Sequence, residues 1–545
     1  MNYLMRIYPA LFLILSLMVV VAISILQNQC FYKNYGAFYD SMAYLNQLAV
    51  VMGRVHTLGF WGTLSSSYNE STVFLPWLMG AFLAYFTEPT RLLGIFIQTP
   101  LLALQLITGY RFFKLIGLSN LRSLMFSIPL ISYPAIFSFN GGLSDFRMDL
   151  SQALIYGSFL ASLMIARSRK NIIEWIFVGL IVSLGCLFRA TTPVYVLFVL
   201  LFTFILDLKT HHIKYTLQRY SAIGGVVFIL TGWFYLLNFD HLHYYYFVWN
   251  TDANAHLPLS ESLNHLSFLK DHLGYPLIFS LLLVIFCSFL IKPKRLSLYQ
   301  SLNSCVALIG SLVPILYLVL SGAGLNPFVS IVAVPGFILF SFSFRQDGGC
   351  FKSEFVNRLF IIILTILFSC SIFFAVQNSF KQISIWMPYK NGVSDLWNSI
   401  HDDAKSTQKN NIVISFLYLG SVNDDVITNH LVYEEKFKLD SKFKAYNNKM
   451  IVAPLKFKLG AHANWIELPG DTDRKKVEYL ISTSLRKSDY VVMADEGSDL
   501  PVQHIINSYA SYVRHVLQTS HQLEKVKSHI IFSGTETATL YRIKK

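Results

Sequence analysis

The sequence predicts an α-helical polytopic membrane protein of about 11 transmembrane helices with a soluble α/β domain at its C-terminal end. Three observations predict it. Apolar residues make up 54% of the 545 and charged residues 14%, against about 25% charged in an ordinary soluble chain. The apolar residues gather into runs of membrane-crossing length, and none of these follows residue 376. Basic residues collect in the short loops between runs, so the net charge of +13 reads as membrane topology and not as a polyanion-binding surface. Disordered, collagenous and nucleic-acid-coating chains are excluded, and no nucleic-acid partner is expected.

A helix needs about 20 apolar residues to cross the hydrocarbon with its own backbone satisfied. Runs near that length fall at 8–26, 92–112, 122–138, 150–166, 173–188, 190–206, 221–238, 275–291, 303–321, 328–344 and 358–376. Only Arg6 precedes the first within its charged flank, and no small-residue cleavage pattern follows, so it reads as a retained anchor. Arg111, Lys114 and Arg122 share one side with Arg167, Arg169, Lys170, Lys209, Lys214 and Arg219. Lys292, Lys294, Arg295, Arg345, Lys352 and Arg358 fall there too. That side, with the N-terminus, is expected to be cytoplasmic. The segment Val73 to Phe86 is too short to cross and reads as a juxtamembrane helix on the outer face. The outer side then holds loops 27–91, 139–149 and 239–274, and everything after 376. The location expected is the cell membrane, read as a bacterial inner membrane from the compact loops.

Residues 1–376 are therefore assigned to a transmembrane domain that includes the first outer loop, and 377–545 to an extracytoplasmic domain. In the latter, Asn411 to Leu419 reads as a strand, Thr472 to Leu485 as a helix, and Tyr490 to Ala494 as a second strand. Pro501 to Leu517 reads as another helix, followed by a strand pair near 528–532 and 538–543. Alternating strands and helices predict α/β. None of the six cysteines falls in this domain, which leaves no disulfide framework or Cys-based zinc site there.

Acidic residues just beyond the ends of spans are the first candidates for chemistry. Asp40 stands in Phe38-Tyr39-Asp40-Ser41-Met42-Ala43-Tyr44, about fourteen residues after the first span. Asp145 and Asp149 stand in Ser144-Asp145-Phe146-Arg147-Met148-Asp149-Leu150, at the mouth of the fourth span. Their spacing of four puts both on one helical face if the helix begins early. Alternatively Asp145 caps the helix and Asp149 pairs with Arg147 or a lipid headgroup. A carboxylate beside the bilayer can act as a general base on a hydroxyl or amine. A departing phosphate would need a cation on the same rim. Arg189, in the turn between the fifth and sixth spans, is the first candidate for that role, and a snorkelling anchor is its alternative. Arg54, His56, Arg91 and Arg147 follow it. Loop 239–274 carries His241, His243, His256, His265 and His272 among Tyr and Trp. It contains no metal-binding template, and an interfacial aromatic belt accounts for its rings. No cofactor is assigned, although Asp40 and the later acids are compatible with a divalent cation bound beside a phosphate.

This order of features resembles the GT-C superfamily of membrane glycosyltransferases, which includes the protein O-mannosyltransferase and lipid A aminoarabinose transferase families. The likeness spans most of the chain: a first span, a long outer loop opening with Asp40, juxtamembrane helices, a second outer loop whose Asp begins a span, and an outer C-terminal domain. Asp40-Ser41-Met42-Ala43-Tyr44 is similar to the D-x-x-x-Y pattern of such families, which implies that Asp40 is the catalytic base and Tyr44 lies in the site. Asp149 matches their second acidic residue better than Asp145 does. Arg189 takes the place of a basic residue facing the donor phosphate. Phe74-Leu75-Pro76-Trp77 resembles their Pro-containing juxtamembrane segment, with Leu75 where some members carry Lys. The resemblance implies transfer of a sugar from a polyprenyl-phosphate donor to a lipid, glycan or protein acceptor at the outer face. The implied partners are that donor, membrane lipid and an acceptor of unspecified identity. A polytopic transporter or a non-catalytic envelope assembly factor is the alternative.

Overall fold

The computed structural model describes residues 2–35, 40–67, 73–138, 141–169, 171–210, 212–244, 298–320, 327–343, 392–417, 424–456, 471–494, 522–530 and 537–544, with scattered positions in 270–282, 362–381 and 515–520. The chain divides into two compact units. The first comprises Met1–Gln27, Ser66–Leu78 and Gly94–Phe380, the second Asn28–Ser65, Met79–Leu93 and Lys381–Lys545. The first outer loop is thus shared out. Most of it folds with the C-terminal region, whereas the sequence pattern assigns all of it to the domain of the spans.

In chain order the described elements begin with α1 (Asn2–Tyr35), α2 (Asp40–Ser67), α3 (Leu75–Leu83), α4 (Leu93–Leu115), α5 (Asn120–Ser127) and α6 (Pro129–Ser132). Two short 3-10 turns lead to α7 (Met148–Arg169), α8 (Ile172–Phe188), α9 (Thr192–Thr210), α10 (Ile213–Leu237) and α11 (Phe239–His243). Then come α12 (Leu298–Leu320), a 3-10 stretch at Pro327–Ala333, and α13 (Val334–Ser343). Among the described residues five helices are long and apolar enough to cross a membrane: Tyr8–Cys30 within α1, then α4, α7, α9 and α10. Three further expected spans appear as shorter apolar helices, Ile172–Phe188, Asn303–Tyr317 and Ser330–Phe342. The segment 122–138 is not one helix. Pro129 and Pro134 lack the N–H that would continue it, and each opens a new short helical piece. Runs 275–291 and 358–376 lie largely outside the described residues. The Val73 to Phe86 segment forms the nine-residue α3, too short to span.

Within the first unit α7 is the central helix. Its apolar window is wholly buried, and it packs against α8, α12, α13 and the Pro327–Ala333 stretch. Small residues permit that closeness. A Cβ on Gly157 would meet Pro335 at 2.5 Å, and one on Gly310 of α12 would meet Leu160 at 2.5 Å. Far from Asp149 along α7, Arg167 is buried with Asp207 of α9, Nη2 to Oδ1 at 2.6 Å, and its Nη1 donates to Asn303 at 3.2 Å. Tyr220 donates to the second Asp207 oxygen at 3.1 Å, so this buried pair ties four helices together.

The second unit continues with α14 (Gly392–Ser406), β1 (Asn411–Leu417), α15 (Asp424–Tyr433), β2 (Lys438–Leu439), β3 (Ala445–Tyr446), β4 (Ile451–Lys456), α16 (Asp471–Lys487), β5 (Tyr490–Ala494), β6 (Leu523–Ile530) and β7 (Thr537–Ile543). Its seven-stranded sheet runs β2-β3-β4-β1-β5-β7-β6, with β4, β1 and β5 parallel and the remaining pairs antiparallel. Tyr490, Val491, Val492 and Met493 are all buried, the unbroken apolar pattern of a central strand covered on both faces. The expected strands, the helix at 471–487 and the final strand pair are present. The helix expected at 501–517 falls mostly outside the described residues.

Candidate functional site

The site is built on the loop that enters α7. Gly141 has φ +85°, and a Cβ on Gly142 would collide with the carbonyl oxygen of Ser138, so both positions require glycine. Asp145 closes this turn. Its Oδ2 accepts from the Gly141 N–H at 2.7 Å, and its own N–H donates to Gly142 O at 3.0 Å. Phe146 then takes the left-handed conformation at φ 51° with its side chain against Gly94, and α7 starts only at Met148. Asp145 and Asp149 therefore do not share a helical face, contrary to the sequence expectation. Asp145 lies in a 3-10 turn, and Asp149 lies in the first turn of α7, where the helix dipole favours a carboxylate.

Asp149 is 2% exposed and sits between two guanidinium groups. Arg189 Nη2 lies 3.1 Å from Oδ1, and Arg147 Nε lies 3.6 Å from Oδ2. Arg189 immediately follows α8, where its backbone N–H caps the helix by donating to Gly185 O and its charge meets the negative end of the dipole. The turn after it is fastened to α7 by Gln152, one turn beyond Asp149. Gln152 Nε2 donates to the hydroxyls of Thr191 at 3.0 Å and Thr192 at 3.2 Å. Thr192 in turn donates to Gly185 O at 2.9 Å. Tyr195 lies within electrostatic reach of both Arg189 and Asp149, and its ring meets Tyr317 edge-on at 5.2 Å.

His272 completes the cluster. It is buried, its Nδ1 lies 2.8 Å from Ser330 Oγ, and it stands in the field of Asp149. Burial pulls its pKa down to about 4, against the opposing pull of Asp149, so it is neutral at pH 7. Two guanidinium groups thus flank one buried carboxylate. Arg189, 18% exposed against 6% for Arg147, is the guanidinium with the greater access to a ligand. Such a site can receive an anion, with Asp149 holding the cations in place.

Asp40, Tyr44, Arg54 and His56 all lie on α2 of the second unit. Asp40 is the first residue of that helix, and its side chain is outside the described residues. Tyr44 is half-buried, Arg54 is buried and His56 is exposed. Among the described residues no group of three or more His, Cys, Asp or Glu is placed to hold a metal ion. His256 and His265 lie outside the described residues. Gln152, Tyr195 and Tyr317 join the cluster without being marked by the sequence pattern. Gln152 alone carries a signal, its one-turn spacing from Asp149.

No family model matches the chain, and no curated protein matches it. Among solved structures it is similar to the single-particle cryo-EM structure of arabinofuranosyltransferase AftD from Mycobacteria, at 11% identity and a TM-score of 0.47. The likeness covers 97% of this chain and 40% of that one. At that identity and score it establishes neither a shared fold nor a shared activity. The molecule itself defines the class: a protein of membrane-length apolar helices with a buried Asp–Arg cluster at the start of its central helix, and a second unit built on a mixed sheet.

Proposed function

We propose that this chain is a GT-C-like glycosyltransferase that moves a sugar from a polyprenyl-phosphate-linked donor to a lipid, glycan or protein acceptor at the outer face of the membrane. The observation that carries the reading is the Asp149–Arg189–Arg147 cluster. A buried carboxylate orients two guanidinium groups beside an apolar span, which suits a phosphate whose tail lies in lipid. Arg189 is assigned to the donor phosphate with Arg147 behind it. Asp149, whose two oxygens each face a guanidinium, is assigned to orienting them rather than to proton transfer. Asp40 is assigned as the base, on its place at the start of α2 and the resemblance of the following residues to the family pattern. In the step, the acceptor oxygen bonds to the anomeric carbon and its proton passes to Asp40. The bond from that carbon to the phosphate oxygen breaks, and its electron pair leaves with the phosphate.

The test is binding of a polyprenyl monophosphate and of the matching neutral polyprenol to purified protein in nanodiscs. A charge-assisted hydrogen bond contributes about 1.5–3 kcal/mol, so Arg189→Gln should weaken the phosphate about tenfold or more and leave the polyprenol unchanged. Equal binding of the two lipids by wild type, or no effect of Arg189→Gln, overturns the assignment.

A further inference from the structure

The helix that opens at Asp40 is held by a row of directed polar bonds from the C-terminal part of its own unit. Tyr433, the last residue of α15, donates its hydroxyl to the backbone carbonyl of Leu45 at 2.8 Å. Asn46 is fully buried. Its Nδ2 donates to Asp425 O at 3.0 Å, and its Oδ1 accepts from Asn429 Nδ2 at 3.4 Å. Asn429 Oδ1 accepts from Arg91 Nη2 at 2.9 Å, and Arg91 Nη1 pairs with Glu434 Oε1 at 3.0 Å. The Arg91 guanidinium lies over the Tyr433 ring, 5.6 Å from its centre. Further along α2, Gly53 lies so close to β2 that a Cβ would meet Leu439 O at 3.2 Å.

Apolar faces alone tolerate small slides and rotations, whereas buried directional bonds select one register. If α2 turned or slipped by one residue, the fully buried Asn46 amide would lose both partners, a large penalty for buried polar atoms. The bonds at residues 45 and 46 lie within two turns of Asp40, so they fix the azimuth and height of the helix start that carries it.

We infer that α15 is a positioning element for the transfer reaction: Tyr433 and Asn429, braced by Arg91, set where Asp40 stands, which gives the C-terminal α/β region a direct part in catalysis. This rests on the reading of Asp40 as the acceptor base. None of the three residues is a catalytic residue, since each acts through α2.

The experiment uses full-length protein in nanodiscs, with Tyr433→Phe, Asn429→Ala, Arg91→Ala and Arg91→Lys beside wild type. Hydrogen exchange of the backbone amides of residues 42–50 is read without substrate, and sugar transfer from a polyprenyl-phosphate donor is read for kcat and KM. Loss of one buried hydrogen bond should speed exchange in that stretch about threefold to tenfold. The expected kinetic result is a comparable fall in kcat with the KM for donor unchanged, and Arg91→Lys should recover part of the loss of Arg91→Ala. Unchanged exchange in all variants overturns the inference. So does faster exchange with unchanged kcat, or a change confined to KM. If wild type transfers sugar from no donor, the transferase reading fails and the positioning role falls with it. If wild type transfers and the variants match it, the positioning role alone falls.

Discussion

Replacing Asp149 by alanine should be among the most damaging single substitutions in the first unit, because it leaves two guanidinium groups without the carboxylate they share. Asp149 is 2% exposed, Arg147 6% and Arg189 18%, so Arg147 cannot regain water and Arg189 does so only in part. At separations of 3.1 and 3.6 Å the attraction being removed is about 5 kcal/mol per pair at an effective dielectric of about 20. Removing one partner of a buried pair typically costs about 3–5 kcal/mol. Arg189→Ala should cost less, about 1–2 kcal/mol, since Asp149 keeps Arg147 and Arg189 is the more exposed partner. The double variant Asp149→Ala/Arg189→Ala should then be more stable than Asp149→Ala alone, because one of the two cations that lost the carboxylate has been removed. The assay is a double-mutant cycle on unfolding in mixed detergent micelles, followed by tryptophan fluorescence. A coupling below about 0.5 kcal/mol would mean that the two groups act independently, and the shared-carboxylate picture would fall.

Three further outcomes follow from the same geometry. His430 of α15 is held neutral, its pKa pulled down to about 4 first by burial and then by Arg91, with the more exposed Glu435 at 3.5 Å too weak to reverse this. Its contribution to folding is therefore complete above pH about 6.5 and is lost as the pH falls towards 4, by about 3 kcal/mol, a slope that His430→Leu should flatten in pH-dependent unfolding. Gly142→Ala should destabilise the loop entering α7 by about 1–3 kcal/mol, because its Cβ would meet backbone oxygens of Ser138 and Ile136; an unchanged thermal midpoint would contradict that packing. Asp207→Ala should destabilise by about 3–5 kcal/mol, whereas Arg167→Met/Asp207→Leu should recover most of it in thermal unfolding, as the paired charges leave together.

Much of the helical unit is legible in the sequence, because a run of about 20 apolar residues is too long for most soluble-protein helices and matches the thickness of the hydrocarbon. The break in 122–138 is not legible, because mean hydropathy hides what two prolines do to a helix. In the sheet unit β1, β5 and the last strand pair are visible as apolar or alternating runs. Helix α15 escapes the pattern because its buried side includes Thr428 and Asn429, polar residues that periodicity assigns to the surface. Asp149, Arg147 and Arg189 are legible from their places at the ends of spans. The Asp149–Arg147 pair is legible as one of the alternatives, but its union with Arg189 is not, since that depends on the Gln152 bonds that draw the turn after α8 onto α7. His272 stands among other loop histidines with no spacing to mark it, and only tertiary packing beside Ser330 sets it apart.

Sugar transfer with Asp40 as base is tested most directly by following radiolabelled sugar from a panel of polyprenyl-phosphate donors, with purified wild type and Asp40→Asn and with membrane lysate as acceptor source. Wild type should label a product with at least one donor. Asp40→Asn, folded to the same extent, should lose about two orders of magnitude or more of that rate, the contribution expected of a general base. Equal transfer by the two proteins would remove Asp40 as the base, and no transfer by wild type from any donor would contradict the assignment as a transferase.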